Sequence, residues 1–224
     1  MDQVPPGLEE ILDGKNHKLF LQGGNETWMG FPAVKRFTNA FILDEVNDKI
    51  LLGYKKRGFA QGIYNGFGGK VDIGETPLQA AHRELEEEAG VQAPLQWFGA
   101  LLFYQTDHEY AHYIDLYRAN SWSSEPIETE EMKPRWFALP DPSTDMIQLA
   151  ERLSREETSE GETHVEIVPL HKMWRDDLLW MPLMISNKPF VGRVDLVQDS
   201  APKAGSPSEL LHPLAKWWIA TIVD

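Results

Sequence analysis

Residues 68–91 read GGKVDIGETPLQAAHRELEEEAGV, and four of the five side chains from Glu84 to Glu88 are carboxylates. The stretch reads first as a helix. Thr76 is a suitable N-cap, Pro77 suits the first helical position, and Gln79 completes a Thr-x-x-Gln capping box. Gly90 is placed to end the helix in a left-handed conformation, which leaves about 13 helical residues at about 100° each. On that wheel Leu78, Ala81, Leu85 and Ala89 share an apolar face suited to packing on a sheet. Glu84, Glu87 and Glu88, at i, i+3 and i+4, fall along one flank and Glu86 on the other. Like charges at these spacings destabilise an isolated helix by roughly a few tenths of a kcal/mol per pair. Within the run only Arg83 and His82 compensate. The preceding loop, NGFGGKVDIGE at 65–75, brings a further carboxylate, Glu75, to the helix N-terminus. A solvated acidic face is the plain alternative. Oxygen donors from one helix and its loop suit Mg²⁺, or Mn²⁺, which keep several waters and bind through a few carboxylates and substrate phosphates.

Working outward, FTNAFIL and KILLGYKK flank the polar DEVND and predict a β-hairpin. Beyond the helix, LQWFGALLFYQTD, EYAHYIDLYRAN and the shorter PRWFAL are β-rich and aromatic, so an α+β domain is expected. Residues 1–32 are polar and broken by glycines and prolines, and read as a loosely structured extension. Residues 141–166 read as an insertion: Met146, Leu149, Ala150 and Leu153 have helical spacing, and an acidic loop follows. HKMWRDDLLWMPLMI resumes an apolar helix. The domain is therefore expected over 33–198, with a linker and apolar tail over 199–224. Such a tail packs on the core or on a second copy; a monomer is the simpler expectation, with dimerisation through the tail as the alternative.

Composition excludes several classes. A formal net charge of −14 disfavours binding to a nucleic-acid polymer, which needs clustered Lys and Arg. With no cysteine in the chain, disulfides, thiolate metal sites and cysteine nucleophiles are absent. No apolar run approaches the roughly 20 residues of a membrane span, so no membrane role is expected. Asp2, Glu9, Glu10 and Asp13 precede the first basic residue, Lys15, unlike a secretory or mitochondrial presequence. A cytoplasmic, or alternatively nuclear, location is the expectation. A small phosphorylated ligand would need local cations or a bound metal.

The spacing of Gly69, Glu75, Arg83-Glu84-Leu85, Glu87-Glu88 and Gly90 resembles the Nudix box without departure. The resemblance implies an α/β/α sandwich with a catalytic loop-helix-loop, and hydrolysis of nucleoside diphosphates linked to a further group. It implies that Glu84, Glu87, Glu88 and the Gly69 carbonyl hold divalent ions, that Arg83 orients a glutamate, and that Glu75 braces the loop. LLGYKKRGFAQGIYNGFGGKV, EEMKPRWFAL and HKMWRDDLLWMPL extend the likeness to the branch of that family acting on oxidised purine nucleoside triphosphates such as 8-oxo-dGTP and 2-hydroxy-dATP. In that likeness Asn65, Asp176 and Asp177 hydrogen-bond the base, Trp174 stacks on it, and Phe59, Phe103 and Trp180 wall the pocket. Thr38 and Lys55 lie near the sugar and phosphates, and Glu131 is a further metal ligand or base. His112 stands where that branch would have a methionine, and Tyr64 where it would have a tryptophan. A Nudix pyrophosphatase acting on ADP-ribose or dinucleotide polyphosphates is the alternative. Two adjacent carboxylates in an aromatic-lined site cannot both ionise cheaply, so one of Asp176 and Asp177 is expected to stay protonated and donate while the other accepts.

Overall fold

The computed structural model describes residues 3–24, 27–58, 60–106, 108–156, 166–197 and 214–223. Its elements in chain order are α1 (Glu9–Leu12), β1 (Asn16–Gly23), β2 (Val34–Asp44), β3 (Lys49–Lys55), β4 (Tyr64–Asn65), α2 (Pro77–Ala89), β5 (Gln96–Gln105), β6 (Ala111–Ala119), β7 (Met132–Ala138), α3 (Met146–Glu156), a 3₁₀ turn (Leu170–Lys172), α4 (Asp177–Ile185), β8 (Phe190–Leu196) and β9 (Leu214–Val223). The strands form one mixed sheet in the order β1-β9-β8-β5-β6-β2-β3-β4, with β7 also paired to β3. β2 and β3 form the expected antiparallel hairpin, Ile42 opposite Leu51. β7 lines β3 from Lys49 to Lys55, so β2 and then β4 share its other edge. β2·β6 and β5·β8 are the parallel pairs, and β8 is buried throughout, as suits a parallel strand.

Alternation along β2 decides the layers. Phe41 and Leu43 face one side with α3, α4, Phe190 and Ile219. Ala40 and Ile42 face the other, where Ala81, Leu85 and Ala89 of α2 pack. Leu78 departs from the predicted face: it is exposed, and the buried positions of α2 begin at Ala80. The first turn of the helix therefore carries the cap and stands beyond the apolar contact.

The N-terminal segment corrects its compositional reading. Leu8 and Leu12 are buried, and with Leu19, Trp28, Met29 and Phe31 they cover the half of the sheet that α2 does not reach. β1 is an antiparallel strand beside β9, Asn16 opposite Val223. The apolar C-terminal tail is β9 itself, pairing with β8 and packing Trp218 and Ile219 into the core. A buried charge pair clips this segment down. Arg193 and Asp195, one strand period apart on β8, are both fully buried and bonded at 2.8 Å through Nε and Oδ1. Arg193 Nη1 donates to the Pro6 carbonyl at 2.7 Å, and Asp195 Oδ2 accepts from Met29 N at 2.8 Å. Each charge thus has the extra hydrogen bonds that burial demands.

The predicted insertion helix is present as α3, and its Met146, Leu149 and Ala150 are buried. Residues 157–165 of the acidic loop and 199–213 of the linker lie outside the described residues. Among the described residues, no helix is long and apolar enough to cross a membrane.

Candidate active site

The carboxylate helix is held where its flank can act. Thr76 accepts from Gln79 N, the Gln79 side chain accepts from Thr76 N at 2.8 Å, and Gly90 ends the helix at φ 65°. Glu75, just ahead of the cap, takes both Nε and Nη2 of Arg83, at 2.7 and 3.0 Å. The same guanidinium reaches Glu84 at 2.8 Å and Glu87 at 3.2 Å. Arg83 is thus the hub that lets three carboxylates crowd together. Its hydrogen bonds keep it protonated, and in return they hold Glu75 below the ordinary carboxylate range. Glu86, on the other flank, bonds Gln92 instead.

Glu88 is the buried member. Its Oε2 accepts from Gly68 N at 2.9 Å and its Oε1 from Lys55 Nζ at 3.0 Å. Burial pushes its carboxyl up to about 7, against the pull of the Lys55 ammonium. Lys55 also pairs with Glu131, so one ammonium bridges two predicted ligands; burial would lower its pKa, but the two carboxylates raise it. Glu131 is brought there by the register that sets Lys55 opposite Met132, and by Thr129, whose Oγ1 accepts from Glu131 N and Met132 N. Glu84 is half-buried and its carboxyl is raised by desolvation.

Gly69 shows how tightly the loop meets the helix. A Cβ there would lie 2.4 Å from Glu84 Oε1, so any larger residue would displace the Glu84 carboxylate. Its carbonyl accepts from Thr38 N at 2.8 Å, which leaves one lone pair.

As they stand, no three carboxylates among the described residues converge closely enough to hold an ion; Arg83 and Lys55 occupy them instead. The donor set nevertheless fits a hard divalent cation. Every candidate is oxygen, the buried Glu88 already seeks a cation, and Glu87 and Glu131 have 60% and 42% of their side chains exposed.

A cavity of about 320 Å³ opens beside these groups. Lys55, Glu131 and Gly69 line it, together with Thr38, Asn65, Phe103, Trp174, Asp176, Asp177 and Trp180. Every predicted base-pocket residue in the described chain therefore comes to one cavity; Phe59 lies outside the described residues. Glu84, Glu87 and Glu88 are not among its lining residues, and Glu88 is linked to it through Lys55 and Gly68.

The Asp pair begins α4. Asp176 Oδ2 accepts from Trp180 Nε1 at 3.4 Å, and Asp177 Oδ2 accepts from Trp174 N at 3.1 Å. Burial pushes Asp176 up to about 6, opposed by the Trp180 N–H. Burial and the neighbouring Asp176 carboxylate push Asp177 well above the ordinary range. A protonated carboxyl next to an ionised one provides a donor and an acceptor side by side.

Sequence reasoning missed several cavity residues, among them Asn39, Phe37, Ile63 and Met132. Asn39 had a readable signal, since Thr38-Asn39 is a polar pair inside the apolar strand FTNAFIL. His112 lines the cavity against Phe37, ring centroids 4.7 Å apart. Burial, then His108 and Lys35, lowers its imidazole to about 4, so it is neutral at neutral pH.

A mixed sheet carrying a capped glutamate helix on one face and a polar-floored cavity beside it defines a hydrolase of the Nudix class, and the chain belongs to that family: residues 35–156 match the NUDIX domain. More particularly, it is 37% identical over 145 residues to an oxidized purine nucleoside triphosphate hydrolase of Danio rerio, a match covering 64% of this chain and 76% of that protein. It is 34% identical, with the same coverage, to the protein of that name from Mus musculus. An 8-oxo-dGTP diphosphatase of Haemophilus influenzae is 43% identical over 72 residues, covering 31% of this chain and 50% of that one. Among solved structures, the crystal structure of a mutator MutT protein from Bacillus halodurans aligns with a TM-score of 0.55 at 18% identity, covering 83% of this chain and 97% of that one. That likeness establishes the shared fold.

Proposed function

We propose that this Nudix hydrolase acts on oxidised purine nucleoside triphosphates, 8-oxo-dGTP and 2-hydroxy-dATP among them, releasing the monophosphate and pyrophosphate and so clearing damaged precursors from the nucleotide pool. The observation that carries the reading is the buried Asp176–Asp177 pair in a cavity also lined by Lys55 and Glu131. Base recognition and phosphate chemistry then share one site. The similarity to oxidized purine nucleoside triphosphate hydrolases supports the same substrate class.

In this reading the base enters among Trp174, Phe103 and Trp180, and the protonated and ionised carboxyls of the Asp pair let one pocket satisfy purines with different hydrogen-bond patterns. Lys55 offers its ammonium to the phosphates, and Arg83 orients Glu75, Glu84 and Glu87. Glu84, Glu87, Glu88 and Glu131, with the Gly69 carbonyl, would hold Mg²⁺ or Mn²⁺, which neutralises phosphate charge and activates water. Glu131, which lines the cavity, is the carboxylate placed to meet an attacking water. The protein works as a cytoplasmic monomer on a small-molecule nucleotide.

The test is pyrophosphate release with Mg²⁺ from 8-oxo-dGTP, 2-hydroxy-dATP and dGTP, alongside monophosphate release from ADP-ribose and diadenosine polyphosphate, with Glu88→Gln as the blank. The reading expects the oxidised purine triphosphates to be preferred. Preference for ADP-ribose or a dinucleotide would keep the hydrolase and overturn the base assignment.

A further inference from the structure

Residues 128–131 read Glu-Thr-Glu-Glu, one neutral side chain among three carboxylates, and the end of β3 runs into three cations, Lys55, Lys56 and Arg57. Each carboxylate takes its own cation. Glu131 pairs with Lys55, Glu128 with Lys56 at 2.6 Å, and Glu130 with Arg57 at 3.6 Å. Of these three carboxylates, Glu131 alone lines the cavity. Charge pairing brings the loop to β3 but does not fix it finely, since exposed ion pairs are worth little and hold no single geometry; 89% of the Glu130 side chain is exposed.

The fine placement falls to Thr129. Its Oγ1 accepts from Glu131 N at 3.3 Å and from Met132 N at 3.0 Å, closing a local turn. The hydroxyl has one hydrogen to give, and two carbonyls lie within reach of it, those of Glu88 and Met132, each at 3.4 Å. The Met132 carbonyl already accepts from Thr129 N at 2.9 Å. The Glu88 carbonyl stands in the last turn of α2, where a helix leaves its carbonyls without intrahelical partners. One hydroxyl thus joins the main chain of Glu88 to that of Glu131, and the two side chains meet again at Lys55 Nζ.

The loop does not depend on this hydroxyl to stay docked. Lys56 N donates to the Glu131 carbonyl at 2.8 Å, and Lys56 Nζ to the Thr129 carbonyl at 2.8 Å. Thr129 is half-buried, so water can reach the N–H groups that its removal would free. What the hydroxyl adds is the position of Glu131.

We propose that Thr129 is a positioning residue for hydrolysis, its hydroxyl setting Glu131 at a fixed place relative to Glu88 with the end of α2 as the reference. The proposal rests on the role given to Glu131 above and supplies the residue on which that role depends.

The experiment compares Thr129→Val, which keeps the branched shape without the hydroxyl, with Thr129→Ser, which keeps the hydroxyl without the methyl. Turnover is measured on whichever substrate of the panel above is fastest, so the outcome does not hang on the base assignment. In Thr129→Val kcat should fall by roughly 10- to 100-fold, as when a supporting hydrogen bond behind a working ligand is removed, with KM little changed and the melt near that of the wild type. Thr129→Ser should retain kcat. Apart from turnover, amide hydrogen exchange at Glu131 and Met132 in the metal-free protein should quicken in Thr129→Val and not in Thr129→Ser. A double-mutant cycle with Glu131→Ala then separates the mechanisms: a residue that acts through Glu131 costs nothing further once Glu131 is gone, whereas a merely structural one lowers kcat in both backgrounds.

An unchanged kcat in Thr129→Val, equal losses in the valine and serine variants, or full additivity in the cycle overturns the proposal. Should Thr129→Val fail to fold, Thr129→Ala takes its place against Thr129→Ser. Normal turnover by Glu131→Ala alone would overturn the role given to Glu131 in the preceding section, and the proposal with it.

Discussion

Replacing Asp176 with asparagine should stabilise the protein at neutral pH, and the amount follows from the burial of the pair. Burial moves the Asp176 carboxyl from the ordinary value of 3.8 to about 6. In the folded state the proton is therefore held more tightly than in the unfolded chain. Between about pH 4 and pH 6 the unfolded state has lost a proton that the folded state keeps at Asp176, so stability falls as pH rises through that window. At about 1.4 kcal/mol per pH unit the total loss by pH 7 is about 3 kcal/mol. An asparagine side chain does not titrate, and its carbonyl oxygen can still accept from Trp180 Nε1, so the variant escapes the loss. The assay is urea unfolding of both proteins in half-unit steps from pH 4 to pH 8 at constant ionic strength, with one curve subtracted from the other to cancel the titrations they share. The advantage of Asp176→Asn should grow as the pH rises from 4 to 7, by on the order of 3 kcal/mol. A difference independent of pH, or one that grows as the pH falls, would refute the reasoning. Such a gain in stability is expected at a site selected for binding rather than for folding.

The remaining predictions concern the carboxylate helix and the N-terminal clip. Glu88→Gln retains an oxygen for Gly68 N and should fold normally, while pyrophosphate release falls by orders of magnitude; near-normal turnover would remove Glu88 from the machinery. In Gly69→Ala the new Cβ meets Glu84 Oε1 at 2.4 Å, which should cut kcat by roughly 100-fold, the loss that a displacement of about 1 Å produces, and a kinetic assay with an unchanged melt would show it. Arg193→Met leaves Asp195 buried and unpaired, and should cost about 3–5 kcal/mol in urea unfolding; adding Asp195→Leu should restore much of it, and a loss below about 1 kcal/mol in the single variant would show that the clip is weak. Removing divalent ions with EDTA should abolish hydrolysis and Mg²⁺ should restore it, with full activity in EDTA counting against a metal role for the box.

The carboxylate helix was legible because every part of it is local. Cap, capping box, terminating Gly90 and the i, i+3, i+4 flank all lie within residues 76–90, and helical geometry alone converts that spacing into proximity. The hairpin, the β-rich runs and the Asp176–Asp177 pair were visible for the same reason. The exposure of Leu78 was not, since a wheel gives direction around the axis but not how far the partner sheet extends along it. Residues 3–32 misled because glycine and proline content reports weak local preference. Leu8, Leu12 and β1 gain their order from β8 and β9, some 170–220 residues away in sequence.

What the sequence by itself determined, then, is the set of chemical groups: the glutamate flank, its arginine, the pair of aspartates and their aromatic surroundings. Tertiary structure alone decided how those groups are partnered. Lys55 meets Glu88 and Glu131 only because β3 lies between the loop over α2 and β7, and Asn39 meets Asn65 only because β4 approaches β2 across a glycine. Hydrogen bonds and desolvation depend on distances of a few ångström between residues far apart in the chain, and no local pattern encodes those distances.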